Sequence, residues 1–176
     1  MKEYVVLVTP YGSVGIVGAE HGISNIILTR RTVRQTELLL AGLHPDAHNN
    51  PNLHKGLQSQ LRDYFAGVPV RFRVHVDFAD MSSFQREVLQ ACAKLGYGET
   101  TAYGDLARQI GRPKAARAVG TALARNPVPI VIPCHRVIAR DGSLCGFSAE
   151  QGVDLKRQLL EMEAKGVAQT KGRRRS

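Results

Sequence analysis

At 176 residues, with 43% hydrophobic and 22% charged side chains, the chain is long enough to bury a real core and has the make-up of a globular protein, not of a disordered or fibrous one. Three cysteines are too few for a disulfide scaffold, no run of about 18 apolar residues could span a membrane, and the start MKEYVVLVTPYG lacks the apolar stretch of a secretory leader, so a reducing cytoplasm is the expected setting. The formal net charge of +9 is unevenly placed: residues 1–80 hold 8 basic and 7 acidic groups and residues 81–176 hold 16 and 8, so any attraction for a polyanion resides in the second half.

The first 30 residues carry the β-type runs EYVVLVT, SVGIVGA and ISNIILT, broken by PYG and EHG, and predict an antiparallel meander. A polar region follows, whose LHPDAHNNPN segment argues against helix or strand. Leu53, Leu57, Leu61, Tyr64 and Phe65 recur at helical spacing and predict an amphipathic helix stopped by Gly67. In VRFRVHVDF, Val70, Phe72, Val74 and Val76 alternate and predict a strand. A boundary near Asp80 divides the chain into domains 1–80 and 81–168, with 169–176 as a loose basic tail.

Beyond that boundary, SSFQREVLQACAKLG sets Phe84, Val88, Cys92 and Leu95 on one stripe, with Ser82 and Gln85 in capping-box spacing; Cys92 therefore reads as a buried small hydrophobe. TTAYGDLARQIG predicts a short helix over about residues 102–110, RPK a turn, and AARAVGTALARN a second helix, together the outline of a helix-turn-helix. The second helix is built of tiny side chains with cations at Lys114, Arg117 and Arg125, a composition that suits either tight packing on another helix or a close approach to phosphates. Gly120 costs about 1 kcal/mol relative to alanine inside a helix, and close approach to a partner is the preferred reason for it.

The stretch NPVPIVIPCHRVIARDG sets Cys134 directly before His135 and Arg136. A thiol attacks only as thiolate, and its usual pKa of about 8.5 falls beside histidine or cations. Adjacent side chains diverge along an extended chain, so a base at His135 would act through a water. Read from the residues alone, a reactive and a structural Cys134 both stand open.

NPVPIVIPCHRV, with PKAARAVG and GYGETTAYGDLA upstream, closely resembles the alkylguanine-DNA alkyltransferases, or methylated-DNA–protein-cysteine methyltransferases, whose active-site signature is PCHRV. The match runs from about Phe84 to Glu163; the first 80 residues match only in outline. The resemblance implies an α+β chain: an N-terminal ribonuclease-H-like domain of sheet and helices, then a mostly helical, winged-helix-like DNA-binding domain with the helix-turn-helix. It implies a partner, double-stranded DNA containing alkylated guanine and gripped in the minor groove, and an irreversible, stoichiometric transfer from O6-alkylguanine, and O4-alkylthymine, to Cys134 after the nucleotide is flipped out. On the same basis His135 is the base, Glu163 orients it, Asn126 ties the recognition helix to the cysteine loop, and Tyr103 helps rotate the nucleotide and donates to the departing guanine. Arg117 would fill the vacated stack, with Lys114, Ala118, Arg125 and Arg136 on the DNA. Val137, Phe147, Ser148, Lys156 and Pro129 would line the substrate pocket.

No cofactor and no metal are implied: the first 80 residues lack cysteine, and His44, His48 and His54 read as solvated. A monomer is expected, with cooperative binding of several copies on DNA left open. Phe147 stands where the family usually has tyrosine, and Ala149 and Glu150 where glycines are common, which leaves the accepted alkyl size open. The main alternative is an alkyltransferase-like lesion-binding protein without transfer activity. Such proteins replace the cysteine, commonly with tryptophan, whereas this chain keeps Cys134 and has no Trp. A DNA-binding regulator with an incidental Cys-His pair and a multiple-turnover cysteine hydrolase are further rivals.

Overall fold

The Gly-punctuated runs at the start form strands Glu3–Thr9 (β1), Gly12–Ala19 (β2) and Gly22–Thr29 (β3), an antiparallel meander as expected, in a computed structural model that describes residues 1–147 and 149–173. A two-residue strand, His48–Asn49 (β4), pairs parallel with β1 and completes the order β3-β2-β1-β4. The LHPDAHNNPN loop thus carries a strand it was not expected to hold. The cause is the open edge of β1, whose Tyr4 carbonyl accepts from the Asn50 N–H at 2.8 Å.

The polar region before that loop forms a helix that was not expected there, Val33–Leu43 (α1). Thr32 and Gln35 close a full capping box at its start. Leu40 lies fully buried over Gly15, and a Cβ on Gly15 would sit 2.9 Å from the Leu40 Cδ1. The next helix, Lys55–Phe65 (α2), follows the Leu57/Leu61/Tyr64 stripe and ends at Gly67, whose φ of 82° explains why glycine stops it. His54, expected to be solvated, precedes α2 in left-handed backbone (φ 46°), its Nε2 2.8 Å from the Ala19 carbonyl.

Residues 70–78 do not form the predicted strand. Their alternation is real, because Val70, Phe72, Val74 and Phe78 pack on the core, but the segment pairs with β3 through a single bridge, Ile23 with Val76. The outer edge of β3 is shared: His75 and Asp77 bond to Ile23, while the Ile26 N–H donates to Pro127 at 2.7 Å.

In the second half, Ser83–Cys92 (α3) is capped by Ser82, which accepts from the Gln85 N–H, and Cys92 is fully buried. Thr101–Ala102 (β5) leads into Tyr103–Gln109 (α4), and Ala116–Ala124 (α5) follows as the second helix of the pair. Val137–Ile138 (β6) pairs parallel with β5. The last helix, Gly152–Arg173 (α6), crosses back to the first half. A Cβ on its Gly166 would lie 2.5 Å from the Gly67 carbonyl oxygen, so only glycine permits this crossing. Residues 169–173, expected in a loose tail, belong to α6; lysine and arginine are good helix formers. Residues 174–176 of that expected tail lie outside the described residues. Buried side chains from both sides of Asp80 join in one hydrophobic cluster, among them Leu61 and Tyr64 with Leu106, Val137 and Leu159. Among the described residues, no helix is long and apolar enough to cross a membrane.

Candidate active site

Cys134–Arg136 form a single 3-10 turn after Pro133. The turn is held from below by Asn126, buried, whose Nδ2 donates to the Ile132 carbonyl at 2.8 Å and whose Oδ1 accepts from the Val128 N–H at 3.1 Å. Within that loop Ile130 is fully buried at φ 75°, a left-handed conformation that costs a β-branched residue energy and that the surrounding packing imposes. The turn sends successive side chains apart, with Cys134 toward a cleft and His135 and Arg136 inward toward α6.

The inward side is a buried polar cluster of Tyr64, His135, Arg136 and Glu163. Arg136 donates from Nε to Glu163 Oε2 and from Nη2 to Oε1, both at 2.9 Å, and from Nη1 to the Leu95 carbonyl at 2.7 Å. The Gly98 N–H donates to Oε2 at 3.0 Å. The Tyr64 hydroxyl donates its one proton to Oε1 at 2.7 Å, and His135 Nε2 lies 2.8 Å from the same oxygen and 3.1 Å from the Tyr64 oxygen. Both neighbours of Nε2 are therefore acceptors, so Nε2 carries the imidazole proton and Nδ1 carries a free lone pair. Among the described residues that buried Nδ1 has no hydrogen-bond partner. Burial pushes the Glu163 carboxyl up, but its bonds to His135 and Arg136 outweigh this and hold it at about 2. Burial pushes the His135 pKa down, against the pull of Glu163, which favours the neutral ring.

Two sequence expectations change here. Arg136, expected on DNA, is 4% exposed and serves as the counterion of Glu163. Tyr64, read only as part of an apolar stripe, is a member of the cluster; the one hint was a hydroxyl at a core position, which needs a partner when buried.

The outward side is a cleft of about 800 Å³ between α4, α5 and residues 139–147, lined by Tyr103, Arg117, Gly120, Cys134, Arg140 and Phe147 among others. Burial pushes the Cys134 thiol up; the Asn126 side chain, the Lys156 ammonium and neighbouring N–H groups pull it part of the way back. Lys156 is 1% exposed and donates to the Val137 carbonyl at 2.7 Å, the Cys145 carbonyl at 3.0 Å and the Tyr103 hydroxyl at 3.3 Å. Tyr103, pushed up to about 12 chiefly by burial, keeps its proton at neutral pH and remains a donor facing the cleft.

The structure therefore brings Cys134, Tyr103, Arg117 and Phe147 to one cleft, with Asn126 bracing the cysteine turn. Val137 and Lys156 stand behind its wall, one through its carbonyl and the other as a buried brace. Pro129, expected in the pocket, is buried and faces a different hollow beside Asn25 and Glu150, because the loop turns at Ile130. Lys114, Ala118 and Arg125 are exposed on the helix pair. Ser148, expected in the pocket, lies outside the described residues. A Cβ on Gly120 would meet only Tyr103, at an ordinary 3.8 Å, so packing within the protein does not require glycine there.

Residues 83–165 match the family described as 6-O-methylguanine DNA methyltransferase, DNA binding domain. The chain is 40% identical over 164 residues to the methylated-DNA--protein-cysteine methyltransferase of Mycobacterium tuberculosis, with 93% of each chain covered. It is 36% identical over 170 residues to the constitutive methylated-DNA--protein-cysteine methyltransferase of Bacillus subtilis, covering 93% of this chain and 96% of that one. The crystal structure of Mycobacterium tuberculosis OGT in complex with DNA aligns at a TM-score of 0.79 and 36% identity over 93% of this chain and 94% of that one. Likeness at this level over nearly the whole length, with the PCHRV turn seated on a buried glutamate, means that the chain belongs to the methylated-DNA–protein-cysteine methyltransferase family.

Proposed function

We propose that the protein repairs DNA by moving an alkyl group from O6 of an alkylated guanine in duplex DNA to Cys134, once per molecule. The observation that carries this reading is the division of labour in one turn: Cys134 opens on a cleft lined by Arg117 and Gly120, while the next residue, His135, fixes Nε2 on Glu163 and leaves Nδ1 free to accept a proton. Nδ1 takes the thiol proton through a water, and Glu163 stabilises the imidazolium that results. The thiolate attacks the alkyl carbon; a sulfur–carbon bond forms as the carbon–O6 bond breaks, and the electron pair leaves with guanine. The Tyr103 hydroxyl donates toward the departing base, and Lys156 behind it steadies the charge that develops there. A thioether has no good leaving group, so the sulfur is not restored.

Duplex DNA hides the guanine within the stack, so the nucleotide is turned out into the cleft, and Arg117 fills the gap from the minor groove. Gly120 and the small side chains of α5 let the helix approach the backbone, which is why glycine is kept where the protein's own packing would accept alanine. The same reading extends to O4-alkylthymine, to a monomer acting on DNA, and to a ribonuclease-H-like N-terminal domain followed by a winged-helix-like one. Retention of Cys134 on this relay disfavours a lesion-binding protein without transfer.

Incubation with duplex carrying O6-methylguanine, followed by mass measurement of the Cys134 peptide, is expected to show one added methylene at one equivalent per protein. Repeated turnover would point to a hydrolase, and binding without transfer to a lesion-binding protein. Arg117→Ala is expected to slow transfer from duplex by about ten-fold while changing transfer from a free alkylated base by less than about two-fold, since only the duplex requires extrusion. Equal losses on both substrates would remove Arg117 from that role.

A further inference from the structure

The wall of the cleft is tied at two places that belong to different halves of the chain. Near its start, the Cys145 carbonyl accepts from Lys156 at 3.0 Å and from Tyr103 at 3.4 Å. Beyond Phe147, the Glu150 carboxylate docks on three consecutive residues where β3 ends: Oε2 accepts from the Thr29 hydroxyl and from the Arg30 N–H at 3.3 Å, and Oε1 lies 3.6 Å from Arg31 Nε. Gln151 adds a bond from Nε2 to the Tyr11 carbonyl at 3.0 Å. These contacts join residues 119 to 140 positions apart.

The receiving side is rigid. Thr29 is 2% exposed, lies in β3 paired with Ser13, and accepts from the Arg31 N–H at 3.2 Å, so its hydroxyl is fixed toward Glu150. Between the two ties stands Phe147, which lines the cleft with Cys134 and sets its ring edge-on to His135, with centroids 6.3 Å apart. Glu150 itself does not line that cleft. It can act on the reaction only through where it holds Phe147.

We infer that Glu150 is a positioning residue: by docking on Thr29, Arg30 and Arg31 it holds Phe147 as the wall of the alkyl cleft, so the N-terminal sheet sets the size of the alkyl group that Cys134 accepts. This rests on the transferase reading above. It gives the first half of the chain a part in substrate choice without any contact with substrate.

The test is the ratio of transfer rates from duplex carrying O6-benzylguanine and duplex carrying O6-methylguanine. Glu150→Ala is expected to raise the benzyl-to-methyl ratio about two- to five-fold, the scale that an exposed charge-assisted contact can supply. Thr29→Val, which deletes the hydroxyl from the other side, should raise it in the same direction, and the double variant should do no more than the larger single effect. Glu150→Gln, which still offers Thr29 an acceptor, should recover most of the wild-type ratio. A contact that merely supports the fold would lower both rates together; an unchanged ratio in Glu150→Ala and Thr29→Val overturns the inference while leaving the transferase reading intact. Wild-type protein that transfers neither group would overturn both.

Discussion

Glu163→Gln is expected to cost about 3–5 kcal/mol of stability, the range for breaking a buried ion pair, and to lower transfer by at least about a hundred-fold, the share typical of acid–base catalysis. The carboxylate accepts from Tyr64, His135, Arg136 and Gly98 at once. An amide presents one oxygen and an NH2 group to this set of donors, and it leaves the buried Arg136 cation without a counterion. His135 would also lose the partner that fixes its proton on Nε2.

The acid limb of stability gives the same prediction a sign. The Glu163 carboxyl sits at about 2 in the folded protein against 4.5 as its ordinary value. A depressed carboxyl stabilises the fold fully above its unfolded pKa and loses that contribution as pH falls toward the folded one, here between about 4.5 and 2. His135, held neutral by burial, acts in the same direction, beginning below its ordinary 6.5. Urea midpoints measured from pH 7 down to pH 3 should fall steeply for the wild type and less steeply for Glu163→Gln. Parallel curves would mean that Glu163 is not the acid-sensitive group.

Cys134→Ser is expected to end alkyl acceptance entirely while leaving affinity for alkylated duplex close to wild type. The substitution exchanges one atom within a buried turn, so the cleft and α5 keep their shape, but a hydroxyl is far harder to ionise than a thiol and its oxygen is a poorer nucleophile toward carbon. Because burial pushes the wild-type thiol up, it rests protonated, and the methyl-transfer rate should rise as pH is raised above neutrality. A flat profile would mean that the thiolate is already formed at rest. Residual transfer in Cys134→Ser, located by peptide mass, would name a different acceptor; Cys145, exposed in the same cleft, is the residue to inspect.

What the sequence disclosed follows the range of the interactions concerned. The stripe Leu57, Leu61, Tyr64, the Ser82 cap and the short helix pair rest on neighbours within a few residues, and each appears where the spacing puts it. The helix α1 was equally legible from Thr32 and Gln35, but its flanking polar residues masked that signal. Alternation in residues 70–78 gave the buried face correctly and could say nothing of whether a partner strand was free along its length. At the site, PCHRV pointed to the cysteine that lines the cleft, whereas the inward turn of Arg136 and the hydroxyl of Tyr64 depend on α6 and α2 meeting, which no local pattern records.

That meeting carries a consequence for how the protein comes into being. Tyr64 reaches His135 across 71 positions and Glu163 across 99, and Gly166 must nest against Gly67 for α6 to seat. Contacts of such long range form late, after shorter loops have closed. The Glu163 seat that fixes the His135 proton on Nε2 is therefore assembled only once α6 has been made and has docked. On the transferase reading proposed above, a thiol spent in a single encounter would thus gain its base only in the finished fold.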